Sequence, residues 1–80
     1  MKLATLKAIE KALEHDTTAK YMSYQKACDK VKEMYQKEVD DPENFKEEEL
    51  NYWEESKKKH HKNWSDAKDA LDDFLEHDWN

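Results

Sequence analysis

Glycine and arginine are absent from this chain of 80 residues, and proline and cysteine occur once each. Without glycine there is no phosphate-cradling loop and no dinucleotide fingerprint, since both need it for tight turns and close backbone approach. With one proline besides, most hairpin turn chemistry is missing, which argues against a β fold. Without arginine the chain lacks the bidentate fork that suits guanine and phosphate, and no direct nucleic-acid binding is expected. A single Cys28 excludes an internal disulfide framework. No HxxxH, HExxH or paired CxxC motif occurs, and the adjacent His60 and His61 would point about 100° apart on a helix, so neither metal nor cofactor is expected. Asp73 and His77, one turn apart, are the nearest approach to a ligand pair. No stretch approaches 18 apolar residues, so no membrane span is expected. Lys7, Glu10 and Lys11 interrupt the opening MKLATLKAIEKALEHD, which does not read as a signal peptide. The expected compartment is a reducing cytoplasm.

What remains is charge and aromatic surface. Twenty acids against 14 lysines give a formal net charge of −6. Leu, Ile, Val and Phe together number 11, few enough that disorder must be weighed. Three Trp, four Tyr and two Phe argue for a folded chain, because disordered segments are poor in aromatics. Residues 1–80 read as one domain whose core is thin, so self-association or a partner would help it.

The apolar spacing is helical throughout. Leu3, Leu6, Ile9 and Leu13 share one face, with Ala4, Ala8 and Ala12 beside them. Tyr21, Tyr24, Cys28, Val31 and Tyr35 follow in alternating steps of three and four, a heptad seam. Asp16, Thr17 or Thr18 could cap a new helix between the two stripes, giving helices of about 2–15 and 18–39, with one bent helix as the alternative. Pro42 suits a first helical position with Asp41 as its N-cap, which starts a helix near 42. The Lys57–Lys62 cluster, followed by Asp66 and Asp69, reads as a helix end and a new start, with a break near 62–65. One helix from 42 to 78 would also fit the L50, W53, H60, W64, A67, L71, F74 spacing. The expected fold is all-α: a small antiparallel bundle of three to four helices, or a long helical hairpin that dimerises. Its core would hold Leu3, Leu6, Ile9, Leu13, Tyr21, Cys28, Val31, Tyr35, Phe45, Trp53, Trp64, Leu71, Phe74 and Leu75.

Residues 1–40 carry eight Lys and seven acids, whereas residues 41–80 carry six Lys and thirteen acids. The second-half acids form two blocks. Glu47, Glu48, Glu54 and Glu55 belong to the first, and Asp66, Asp69, Asp72, Asp73 and Glu76 to the second. Positions 66, 69, 73 and 76 recur at helical spacing, an edge whose turn-to-turn rise of about 5.4 Å is near the phosphate spacing of a nucleic-acid strand. Trp79 would add a contact of the type that dominates interfaces. In composition the segment NWSDAKDALDDFLEHDW (63–79) resembles acidic helices of phage proteins that imitate DNA. No residue roles follow from that resemblance. The expected function is a non-enzymatic interaction protein that binds a protein with a basic surface through these residues. A phage or mobile-element inhibitor that occludes a nucleic-acid-binding surface fits the size and charge. The alternative is a helical homodimer that scaffolds a complex through the Tyr21–Tyr35 seam.

Overall fold

Two helices account for nearly all of the structure, a computed structural model that describes residues 2–77. Helix α1 runs over Leu3–Asp40 and α2 over Glu47–Glu76. They lie antiparallel as a helical hairpin, with no strand among the described residues. At 1.5 Å per residue α1 is about 57 Å long, and the hairpin measures 62 × 15 × 13 Å between Cα extremes. Its radius of gyration of 18.1 Å exceeds the roughly 12 Å of a compact domain of this length.

A three- or four-helix bundle is therefore not what forms, because both expected breaks are bridged. At the first, the Thr17 hydroxyl donates to the Leu13 carbonyl at 2.8 Å and lies 3.4 Å from the Ala67 carbonyl. A hydroxyl bonded back to i−4 is not capping a new helix. Lys20 pairs with Asp16 at 3.0 Å across one further turn. At the second, Asn63, Trp64 and Ser65 stay helical and half-buried. Trp64 and Ala67 continue the inward-facing spacing past the lysines, and packing against α1 outweighs the dipole signal those lysines give.

The start of the second helix also differs from expectation. Asp41 is the C-cap of α1, not an N-cap, and its N–H donates to the Lys37 carbonyl at 2.8 Å. Asn44 N–H then donates to the Asp41 carbonyl at 3.1 Å, and Phe45 N–H to the Pro42 carbonyl at 3.4 Å. Pro42 thus occupies the second position of a turn, which its fixed φ suits as well as a helix start. The Asp41 carboxylate accepts from the Asn44 side-chain amide at 2.8 Å. The connection ends at Lys46, with Glu47, Glu48 and Glu49 in the favourable first turn of α2.

Folding the connection this way delivers Phe45 to the core. Val31, Met34 and Leu50 form the buried cluster near the turn, with Phe45 and Trp53 packed against it. Ala27 (1% exposed) and Ala67 add little volume; small side chains there let the helix backbones approach. Leu6, Ile9, Leu13, Cys28, Trp64, Leu71 and Phe74 are half-buried. Leu3, Tyr21, Tyr35 and Leu75, expected in the core, are exposed. Two helices enclose a seam one side chain wide, so positions on its shoulders stay in water.

Candidate partner-binding surfaces

The outer edge of α2 is set by its inner edge. Trp53, Trp64, Ala67, Leu71 and Phe74 face α1, and at 100° per residue Asp66, Asp69, Asp73 and Glu76 fall within about 80° of one another on the opposite side. All four, and Asp72, are exposed. Over this stretch α2 rises about 15 Å. Among the described residues the ion pairs are Lys20–Asp16, Lys30–Glu33 and Lys58–Glu55. None involves the second acidic block. Its one lysine, Lys68, sits over the Trp64 ring at 5.8 Å from the centroid. The last turn of α2 holds no basic residue, so Asp73 and Glu76 stand at the negative end of the helix dipole.

The first block is split by the fold. Glu47, Glu48 and Glu55 are exposed on the outer side, and Glu55 reaches Lys58 at 3.8 Å. Glu54 instead turns towards α1, half-buried, and accepts a short hydrogen bond from the Tyr35 hydroxyl. Lys58, Lys59 and Lys62 then separate the two blocks by about 16 Å along the axis. The structure therefore groups Asp66, Asp69, Asp72, Asp73 and Glu76 and leaves the earlier glutamates as a separate patch. Trp79 lies outside the described residues.

A second surface emerges on one side of the hairpin. An open groove of about 460 Å³ is lined by Tyr24, Val31, Tyr35, Glu54, Lys57, Lys58 and His61. At one end of it, Tyr24 stacks on Trp64, with centroids 5.8 Å apart and planes 8° from parallel. Tyr21 meets Trp64 at 5.0 Å, and His61 meets the Tyr24 ring edge-on at 5.2 Å. The Tyr35 phenol is pushed above its ordinary value, first by its bond to Glu54 and then by that carboxylate's charge. Tyr24 is also raised, first by its hydrogen bond with Cys28 and then by burial. Both hydroxyls act as hydrogen-bonding groups, Tyr35 towards Glu54 and Tyr24 towards Cys28. The aromatic surface was not legible from the Tyr21–Tyr35 spacing alone. Reading Lys57–Lys62 as a helix end hid it, although 54, 57, 61 and 64 continue the three-four spacing unbroken.

The described residues hold no cluster of three or more His, Cys, Asp or Glu able to bind a metal ion. No described helix is long and apolar enough to cross a membrane. No protein-family model, curated protein or solved structure matches the chain.

Proposed function

We propose that this chain is a small, non-enzymatic interaction protein that binds a basic protein surface through the outer edge of α2, covering a site that otherwise holds nucleic acid. One observation carries the reading. Five exposed carboxylates occupy the last three turns of α2, none in an ion pair among the described residues and two against the helix dipole. Like charges one turn apart cost a helix about 0.2–0.5 kcal/mol per pair, and anions at its C-terminus cost more. No ion pair among the described residues offsets this, whereas a cationic partner would. The spacing of the carboxylates along a rod imitates the charge of a nucleic-acid strand, which suits the mode of an occluding inhibitor.

Salt dependence tests this directly. From about 0.01 to 0.15 M ionic strength the Debye length falls from about 30 to 8 Å. Affinity for a captured partner is expected to drop on the order of tenfold or more over that range, mostly through slower association. An affinity indifferent to salt would remove the electrostatic basis of the proposal.

A further inference from the structure

The groove between Tyr24 and Tyr35 is unlike the rest of this acidic chain, and the two helices supply its walls unequally. Tyr24, Val31 and Tyr35 come from α1, in steps of seven and four that keep them on one side of that helix. Val31 belongs to the buried cluster and is only 7% exposed, so the floor is the edge of the core. The α2 wall is polar. There Lys57 and Lys58 each lie three or four residues from both Glu54 and His61, within reach of one another on adjacent turns. With the imidazole neutral, the lining carries two cations and one carboxylate, a net charge of +1, in a chain whose formal net charge is −6.

Within that lining the carboxylate is engaged and the cations are open. Glu54 accepts the hydrogen bond of the Tyr35 hydroxyl, which turns it towards the α1 wall at one end of the groove. Lys57 is half-buried and forms no ion pair among the described residues. Lys58 meets Glu55 at 3.8 Å, but both side chains are more than three-quarters exposed, and such a pair holds a lysine weakly. His61 lies edge-on to Tyr24 at 5.2 Å and to Trp64 at 5.8 Å. Those contacts hold its ring at the other end, with an N–H to donate in either charge state.

We infer that the groove is a binding site for a small organic anion. A flat aromatic body lies along Tyr24, Val31 and Tyr35, and its carboxylate, sulfonate or phosphate group meets Lys57, Lys58 and His61. Charge complementarity selects the sign of the ligand, and the apolar floor selects its body. The volume of about 460 Å³ falls within the roughly 300–1,000 Å³ of small-molecule sites. From Tyr24 to Tyr35 the wall runs about 16 Å, room for fused rings and an acidic group. An inorganic anion would leave the floor wet, and an organic cation would face two ammonium groups. No lining residue belongs to the carboxylate edge of α2, so the inference stands independently of the proposed function.

Titration of the full chain with naphthalenesulfonate, followed by NMR, tests it. Saturable shifts are expected at Tyr24, Val31, Lys57 and His61, with a dissociation constant on the order of 0.1 mM. Naphthylmethylammonium, of similar shape, and inorganic sulfate should each bind at least about tenfold more weakly. Lys57→Gln with Lys58→Gln should weaken naphthalenesulfonate binding by on the order of tenfold. Lys7→Gln with Lys11→Gln makes the same change of net charge at exposed positions far from the groove and should leave binding intact. Glutamine is a good helix former, so both variants should keep the native circular dichroism. No saturable binding below about 1 mM, shifts centred away from the groove, tighter binding of the cation, or equal loss in the two variants would overturn the inference. So would a chain that sediments at twice its 9.7 kDa mass and takes up the probe only on dilution, since a second copy would then hold the groove.

Discussion

Reversing Asp69, Asp73 and Glu76 to Lys is expected to abolish partner binding and, in the same protein, to raise the thermal midpoint. The two effects have one cause. In the native helix Asp66–Asp69, Asp69–Asp72, Asp69–Asp73, Asp72–Glu76 and Asp73–Glu76 are like-charged neighbours at three- or four-residue spacing. The reversal turns three of those pairs attractive and puts cations at the negative end of the dipole. A gain of about 1 kcal/mol follows, which moves the midpoint of a domain this small by roughly 4–8 °C. Binding should weaken by more than about 100-fold, since like charges set against a basic surface cost several kcal/mol. The triple change takes the formal net charge from −6 to zero, so net charge must be controlled. Glu10, Glu14 and Glu33→Lys on α1 makes the same change and should leave binding intact. If it abolishes binding equally, the edge has no special role. A reversed edge that binds as the native one does would dismiss it outright.

Val31→Asp is expected to unfold the chain. Val31 packs with Met34 and Leu50 under Phe45 and Trp53, where both helices and the connection meet. The change removes a buried aliphatic group, worth about 1.5–3 kcal/mol, and leaves a carboxyl group without a partner. A loss of at least about 3 kcal/mol takes most of the margin at the low end of the roughly 4–12 kcal/mol expected for this length, which is where a hairpin whose buried core is Ala27, Val31, Met34, Leu50 and Ala67 falls. Circular dichroism should show the helical signal collapse. Met22→Glu, at a position 63% exposed, should cost less than about 0.5 kcal/mol. A Val31→Asp protein with native helicity and melting would mean that the buried cluster is not what holds the helices together.

Helix content was legible in the sequence because every apolar spacing is three or four and nothing supplies a hairpin turn. Helix number was legible only as an alternative: the long helical hairpin that forms stood beside the bundle of three to four helices. Thr17 and Asp16 are good cap residues, but a cap works only where the chain leaves the helix, and the Leu13 carbonyl claims the Thr17 hydroxyl first. Likewise Lys57–Lys62 would complement a helix end, yet Trp64 and Ala67 hold α2 to α1 beyond it. With two long helices instead of four short ones, the shoulders of the seam stay exposed. Tyr21 and Tyr35 therefore changed from core to surface while Val31, on the same stripe, did not. The acidic edge was legible at 66, 69, 73 and 76, because side chains opposite a packed face must point outward. Glu54 was not, because its engagement depends on Tyr35 across the hairpin.

Competition between this protein and nucleic acid for the captured partner separates occlusion of a nucleic-acid site from binding elsewhere on that partner. With labelled duplex DNA or RNA bound to the partner, the native chain should displace the probe with an inhibition constant equal to its own dissociation constant. The chain alone should leave the free probe unshifted. A ternary complex in which partner, probe and this protein coexist without loss of affinity would show that the carboxylate edge does not occlude the nucleic-acid site.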